Sequence, residues 1–137
     1  MAPPTTHPSN AEHCPCGNPW PYAQCCGPLH AGAPAANAEA LMRSRYTAFV
    51  QRNAAYLLAT WHPTTRPDVV DFAGDQTRWL GLDIKDRWQD GDDRAGIEFV
   101  ARYRVGGDKA HRLHERSRFA LEEGRWYYLD AEKEEIL

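Results

Sequence analysis

The segment IEFVARYRV, residues 97–105, decides the fold, because every second residue in it is apolar. In an extended chain this period places the apolar side chains on one face and most of the charged ones on the other. The segment ends at Gly106-Gly107-Asp108, a combination typical of a turn. We therefore predict a strand with one buried face, formed by Ile97, Phe99, Ala101, Tyr103 and Val105.

Similar segments flank this strand on both sides. LGLDIKDRW, residues 80–88, has the same period and ends in the turn residues 90–93. Two further segments follow residue 110, separated by Glu122-Glu123-Gly124. The pattern predicts a meander of four antiparallel strands. Its inward positions are Leu80, Leu82, Ile84 and Trp88 in the first strand, Leu113, Phe119 and Leu121 in the third, and residues around Trp126, Tyr128 and Asp130 in the last.

The residues before the strands have helical spacing. Asn37 is suited to cap a helix whose first turn contains Glu39, and Met42, Tyr46, Phe49, Val50 and Leu57 recur on one face. We expect this helix to break at Asn53 and to end near Trp61, and a third short helix to span residues 67–73. Helices followed by a meander predict an α+β domain with the helices packed on one face of a curved sheet.

Composition limits the class of protein. The chain has 137 residues, is 42% hydrophobic and 26% charged, and carries a formal charge of −3, which together indicate one globular domain with no general attraction for polyanions. Residues 1–13 are rich in Pro, Thr and Ser, and we expect a disordered tail. No apolar run is long enough for a membrane span and the first residues resemble no secretion signal, so the cytoplasm is the expected location.

All four cysteines lie between residues 14 and 26, as Cys14-x-Cys16 and the adjacent pair Cys25-Cys26. Clustered thiols in a reducing compartment favour metal binding, and four thiolates match the tetrahedral preference of zinc. A four-thiolate site leaves no open position for substrate, so we predict a structural Zn²⁺ held by all four. The alternatives are a strained Cys25–Cys26 disulfide, a redox role, and His30 as the fourth ligand in place of Cys26.

The order of several unusual motifs points to a family. Cys14-Pro15-Cys16-Gly17 and Cys25-Cys26-Gly27 resemble the SEC-C zinc motif. The segments at 41–46, 60–63, 79–82, 117–119 and 126–128 resemble the YchJ family of uncharacterised bacterial proteins. That resemblance implies a zinc knuckle at 14–30 followed by an NTF2-like domain at 37–137, whose helices wrap a cone-shaped sheet, and it implies no settled activity.

The cysteine segment departs from the usual SEC-C motif in its charge. Lys and Arg are absent from residues 1–36, where the motif normally has lysines. A basic surface for RNA is therefore not expected here. Trp20 and Tyr22 instead provide aromatic surface, which either packs the knuckle onto the main domain or binds a protein partner.

Polar residues occur at inward positions of the third strand. The parity that buries Leu113 and Phe119 also directs Glu115 and Ser117 inward, and a buried carboxylate is costly unless it is paired. One interpretation is an ion pair of Glu115 with Arg43 or Arg45. The other makes Glu115 and His62 the candidate catalytic residues, acting as acid and base across a pocket. A bulge would instead turn Arg116 and Arg118 inward.

Two functions follow from these expectations. The first is a binding module that contacts another protein through the knuckle or a small ligand in the cone. The second is an enzyme of the isomerase or dehydratase type, which rests on fold analogy alone. A cavity of a few hundred cubic ångströms beside Glu115 would indicate a small-molecule site. Nucleic acid is the weakest candidate partner, and a homodimer is compatible with the fold.

Overall fold

The computed structural model describes residues 13–136, with side chains described as far as residue 132. Three helices precede one four-stranded antiparallel sheet of order β1-β2-β3-β4. Most of the predicted disordered tail, residues 1–12, lies outside the described range. Within that range, no helix has the length and apolar character needed to cross a membrane. The elements are α1 (Cys26–His30), α2 (Ala38–Gln51), α3 (Ala54–Ala59), β1 (Thr77–Gln89), β2 (Arg94–Val105), β3 (His111–Glu122) and β4 (Arg125–Ile136).

The predicted boundaries of the helical segment are confirmed. The side chain of Asn37 accepts a hydrogen bond from the amide of Ala40 at 2.8 Å, which satisfies one of the free amides in the first turn of α2. The helix ends where Arg52 adopts a left-handed conformation with φ of 55°. Asn53 then caps α3 by accepting from the amide of Tyr56 at 3.1 Å, so the break falls where the sequence predicts it.

The helix predicted at residues 67–73 is wrong. These residues contain no helix, and the side chain of Asp71 accepts a hydrogen bond from the amide of Ala73 at 2.9 Å, which stabilises a local turn instead. Val69 is 68% exposed. A segment of seven residues forms few helical hydrogen bonds, and these do not offset the cost of helix nucleation without extensive packing.

The inward parity predicted for the first strand is also partly wrong. Two irregularities in the pairing of β1 with β2, between Trp79 and Gly81 and between Ile84 and Asp86, each insert one residue. Leu80 is consequently exposed, while Trp79 packs against the core. Trp88 pairs with Gly96 and lies over it on the outer face of the sheet.

The buried side of the sheet has the predicted composition in β2 and β3. Ile97, Phe99, Ala101 and Phe119 pack in one hydrophobic cluster with residues of α2. The pairing of β2 with β3 has no register shift, so Arg116 and Arg118 remain on the outer face and the alternative of a bulge that turns them inward is wrong. Val105, predicted inward, is 45% exposed because it lies at the open end of the sheet. The α+β architecture with helices on one face is confirmed.

Three of the four cysteines belong to this same core. Cys14, Cys16 and Cys26 are part of the cluster that contains α2 and the sheet residues. The segment 14–30 therefore packs against the main domain, and α1 contacts α2 directly. The division into a knuckle at 14–30 and a domain at 37–137 stays a prediction. In the structure the two segments pack against each other and share one hydrophobic core.

Candidate functional site

The four cysteine sulfurs form a compact group. All four Sγ atoms lie within 4.8 Å of one another, and those of Cys16 and Cys25 are 3.6 Å apart. In a zinc tetrathiolate with Zn–S bonds of ~2.3 Å, neighbouring sulfurs are ~3.8 Å apart by tetrahedral geometry. No disulfide joins these cysteines. The donor set and spacing therefore fit one tetrahedral metal ion.

Tight turns bring these sulfurs together. Gly17 has φ of 99°, a conformation that glycine adopts without strain, and its amide donates to the carbonyl of Cys14 at 3.2 Å. A 3₁₀ turn over Tyr22–Gln24 leads into the adjacent cysteines. A Cβ on Gly27 would approach the carbonyl oxygen of Tyr22 to 2.8 Å, so only glycine fits after Cys26.

The sulfurs interact strongly with one another. Hydrogen bonds from Cys16 and Cys26 lower the pKa of the Cys14 thiol far below its ordinary value. The same interaction raises the pKa of Cys16 to about 12 and raises that of Cys26 as well. A second negative charge in this small volume is therefore unfavourable without a compensating cation. A divalent metal ion provides that compensation, because it stabilises the thiolate form of every ligand.

Side chains outside the cysteine segment complete the surroundings of the sulfurs. The Thr47 hydroxyl, fully buried in α2, donates to Sγ of Cys26 at 3.4 Å and lies 3.7 Å from Sγ of Cys14. The side-chain amide of Asn18 donates to Sγ of Cys25 at 3.4 Å. With its sulfurs enclosed by protein groups, the site has the character of a structural metal site.

His30 does not serve as a fourth ligand. Its Nε2 lies 2.8 Å from the carbonyl oxygen of Ser44, and its Nδ1 lies 2.8 Å from the hydroxyl of Tyr22. Nε2 therefore donates to the carbonyl and Nδ1 accepts from the phenol. The Nε2 contact joins the knuckle to α2, the Nδ1 contact lies within the knuckle, and Cys26 belongs to the group of four close sulfurs. Tyr22 packs against the core, whereas Trp20 is 58% exposed.

A second candidate site is a partly open cavity between α2 and the sheet. Its volume is about 280 Å³. The polar or charged side chains in its lining include Arg45, Glu115 and Ser117. Most of the remaining wall is aromatic, formed by seven side chains: Tyr46, Phe49, Trp61, Trp79, Phe99, Phe119 and Tyr128.

The charged groups of the cavity are buried and held in place. The Arg45 guanidinium donates to the carbonyl of Leu57 at 2.8 Å and to the Thr60 hydroxyl at 2.7 Å. Its carbon lies 4.5 Å from the ring centroid of Tyr128 and 5.1 Å from that of Trp61, a cation–π arrangement. Burial lowers the pKa of Arg45 to about 10, against the opposing effect of Tyr128, Tyr56 and Glu115, so the group is cationic at neutral pH.

Several groups of the lining fix its hydrogen-bonding character. Glu115 is only 9% exposed and accepts from the Ser117 hydroxyl at 3.3 Å. Burial raises the pKa of both Tyr46 and Tyr128 to about 12, which keeps both phenols neutral. The indole Nε1 of Trp61 is buried and has no hydrogen-bond partner among the described residues. A buried donor without an acceptor is costly, and the residue that carries it, Trp61, is one of the side chains that line the cavity.

The structure does not bring the two candidate catalytic residues together. Glu115 lines the cavity, as its strand parity predicts, but His62 is absent from the described lining. The Nε2 of His62 lies 2.7 Å from the Glu122 carboxylate, and its Nδ1 lies 2.8 Å from the Thr64 hydroxyl. Arg45, and not Arg43, is the arginine in the cavity, since Arg43 donates to the carbonyl of Cys16 at 2.7 Å and to Glu39 at 2.9 Å.

Sequence reasoning missed two residues that matter to these sites. Thr47 contacts cysteines 21 and 33 residues away in sequence, so only the packing of the knuckle on α2 reveals its role. Trp61 was treated as the end of a helix. The one feature of the sequence that could have drawn attention to it is a large aromatic residue with a polar ring atom next to a helix stop at Pro63.

Comparison with known proteins places the chain among similar sequences. The family model described as YchJ, middle NTF2-like domain, matches residues 37–131. A UPF0225 protein of Xanthomonas oryzae pv. oryzae is 54% identical over 129 residues, covering 93% of this chain and 98% of its own length. A UPF0225 protein of Bordetella bronchiseptica is also 54% identical over 129 residues, with 92% and 96% covered.

A solved structure extends the likeness to the cysteine segment. The solution structure of a SEC-C motif containing protein from Rhodopseudomonas palustris is similar to this chain, with a TM-score of 0.77 and 37% sequence identity. The match covers 88% of this chain and 97% of that one. An N-terminal SEC-C motif joined to an NTF2-like domain is therefore the architecture of this molecule.

Proposed function

The chain belongs to the YchJ (UPF0225) family, and from that premise we propose that it binds a small molecule and that a structural zinc ion stabilises its fold. In this proposal the cysteine knuckle is a structural element, and the NTF2-like cavity holds a neutral, largely aromatic ligand. The observation that carries it is the cavity of about 280 Å³ beside Glu115, whose wall is formed mostly by aromatic side chains.

The proposed role of zinc is to hold the knuckle in the domain core. Cys14, Cys16, Cys25 and Cys26 would be the ligands, and zinc would supply the positive charge that keeps all four as thiolates. Thr47 and Asn18 then orient the sulfurs from outside the coordination sphere. Because α2 carries Thr47 and also forms a wall of the cavity, the metal site supports the element that shapes the ligand site.

The size of the cavity limits the ligand. An engineered apolar cavity of about 150 Å³ binds benzene, which has six heavy atoms. In proportion, a cavity of about 280 Å³ accommodates roughly 11 heavy atoms. A compound built on two fused rings has this size, and its flat faces suit a wall made mostly of aromatic rings.

The charges in the cavity favour a neutral ligand. Arg45 and Glu115 carry opposite charges and interact with one another, as the influence of Glu115 on the pKa of Arg45 indicates. An anionic ligand would be repelled by Glu115 and a cationic one by Arg45, and either would lose its hydration on entry. The indole N–H of Trp61 calls for an acceptor, such as a carbonyl or hydroxyl oxygen, on the ligand.

Acid–base catalysis by Glu115 and His62 has less support than binding. His62 is engaged with Glu122 and Thr64, whereas Glu115 is in the cavity. A protein partner for the knuckle also stays a proposal, and its support is the exposed ring of Trp20. The geometry of the described residues adds no support for a homodimer, for a cellular location or for a nucleic-acid partner.

A charge series on one ring system tests the proposed ligand class. The zinc-loaded chain is titrated, with calorimetry and NMR chemical shifts as readouts, against naphthalene, 1-naphthol, 1-naphthoate and 1-naphthylmethylammonium. We expect 1-naphthol to bind most tightly. We expect Trp61→Phe to lower the affinity for 1-naphthol by about tenfold, which corresponds to the loss of one hydrogen bond. The affinity for naphthalene should be unchanged.

The matched control is Trp88→Phe, which removes an indole on the outer face and should leave all four affinities unchanged. Tighter binding of either ion than of 1-naphthol would contradict the proposed ligand class. Absence of binding for the whole series, with shifts confined to surface residues, would contradict the proposal that the cavity is a binding site.

A further inference from the structure

The outer face of the sheet has four arginines close together at one end. Arg78 of β1 lies directly opposite Arg104 of β2, and Arg102 of β2 lies directly opposite Arg112 of β3. Each alternates in sequence with residues that face the helices, so all four project to the other side. Like charges at directly opposed positions destabilise a sheet, and this sheet has two such pairs in succession.

These four differ from four other exposed arginines of the strands. Arg87, Arg94, Arg116 and Arg118 each have a carboxylate oxygen within 4.0 Å. In the described part of the chain, the guanidinium groups of Arg78, Arg102, Arg104 and Arg112 have no such partner. Arg102 instead lies over Gly81, where a Cβ would approach its Nη2 too closely to be tolerated without a shift. Among the side chains that the structure describes, none with a carboxylate compensates the positive charge at this end.

The arginines adjoin a hollow that could receive a ligand. The hollow lies between the start of β1 and the β2–β3 turn, and Arg78, Arg104, Lys109, Gln76 and the backbone of Gly106-Gly107 line it. The acidic residue of its lining, Asp108, is engaged by His111 at 3.1 Å and by the amide of Lys109 at 2.8 Å. The net charge that faces the hollow is therefore positive.

From this arrangement we propose that the hollow binds the diphosphate or triphosphate group of a small molecule. Guanidinium groups present forked donors that match phosphate oxygens in pairs. The opposed pair Arg78 and Arg104 lines the hollow together with Lys109, and these three cations favour an anion with several charges in a small volume. Two successive glycines permit the backbone to approach the phosphate closely. The site lies on the opposite face of the sheet from the aromatic cavity and is independent of it.

A nucleic-acid backbone fits this surface less well. Beyond the arginines, the outer face continues with Asp83 and Asp86, which would repel a longer polyanion. The hollow has no aromatic side chain in its described lining on which a base could stack. The positive surface is therefore large enough for a diphosphate or triphosphate group and too small for an extended nucleic-acid chain.

Titration of the zinc-loaded full chain with inorganic pyrophosphate tests the site, with ¹⁵N chemical shifts and calorimetry as readouts. We expect saturable binding with shifts at Gly106 and Gly107. Arg104→Gln should weaken this binding by about tenfold or more, since a charge-assisted contact to phosphate is lost. Arg94→Gln is the matched control, because that exposed arginine lies near Asp93 and should leave the affinity unchanged.

Two further ligands identify the source of the phosphate. Tighter binding of ATP than of pyrophosphate supports the site and assigns it to a nucleotide, whereas equal affinities support it and assign it to the phosphates alone. Binding of a 20-nucleotide RNA without binding of pyrophosphate would overturn the proposal. So would pyrophosphate binding that Arg104→Gln and Arg94→Gln weaken to the same extent, since general charge would then explain it.

Discussion

Substitution of Thr47 by valine should weaken the metal site without damaging the fold. The side chain is fully buried, and its hydroxyl contacts Sγ of Cys26 at 3.4 Å and lies 3.7 Å from Sγ of Cys14. Valine keeps the shape of threonine and removes the hydroxyl. Loss of one such partner of a metal ligand lowers metal affinity by about 10- to 100-fold, so we expect that decrease in zinc affinity for Thr47→Val.

Thr47→Ser is the complementary variant. It keeps the hydroxyl and removes one methyl group, so it should retain zinc affinity and lose about 1 kcal/mol of unfolding free energy. Zinc affinity is measured by competition with a fluorescent chelator, and stability by urea denaturation at saturating zinc. The reverse pattern, with zinc affinity lowered by serine and retained by valine, would refute the reasoning. It would show that packing, not the hydroxyl, supports the sulfurs.

Three further predictions concern the domain around the site. Burial raises the pKa of Tyr46 to about 12 in the folded state, so its contribution to stability is present below pH 10 and is lost between pH 10 and 12. Tyr46→Phe should therefore reduce the loss of unfolding free energy at alkaline pH, as measured by urea denaturation at a series of pH values. An unchanged loss would contradict this prediction. Gly96→Ala should lower the unfolding free energy and displace the ring of Trp88, which would shift the Trp88 fluorescence. Gly81→Ala meets only the end of the flexible Arg102 side chain and should lower the unfolding free energy less. Equal decreases for the two variants would exclude this explanation. Leu57→Ala, at a fully buried position, should lower the unfolding free energy by about 2 to 5 kcal/mol in urea denaturation. A decrease well under ~1 kcal/mol would show that the packing of Leu57 does not hold α3 in place.

The close group of four cysteines could be predicted from the sequence because its geometry is local. Four cysteines within 13 residues, at spacings that turns can close, leave few arrangements other than a shared metal. The same spacing could not show that Cys14, Cys16 and Cys26 join the core of the main domain, because those contacts are made with residues far away in sequence. The choice between His30 and Cys26 likewise depended on Ser44 and Tyr22.

The strands were predicted well where their period is unbroken and poorly where it is interrupted. The inward face of β2 and the inward position of Glu115 follow from simple alternation. The two irregularities in β1 move Leu80 and Trp88 outward, and a two-residue period gives no indication of where an extra residue is inserted. The segment 67–73 has helix-like ends, but seven residues are too few to form a stable helix without extensive packing, and Val69 is 68% exposed.

The cavity shows a different limit of sequence reasoning. Strand parity identifies Glu115 and Ser117 as inward, but the volume between α2 and the sheet depends on how closely the two layers pack. The cation–π contacts of Arg45 with Trp61 and Tyr128 join three separate elements of the chain. Only their assembly creates the largely aromatic wall of the cavity.

Native mass spectrometry of the chain, purified without chelator, tests the central claim most directly. The account predicts one zinc ion per chain, bound with loss of the four thiol protons of Cys14, Cys16, Cys25 and Cys26. A chain that carries clearly less than one zinc ion while remaining folded would contradict it. The knuckle would then be held in the core by packing alone, and the proposed structural role of the metal would be lost.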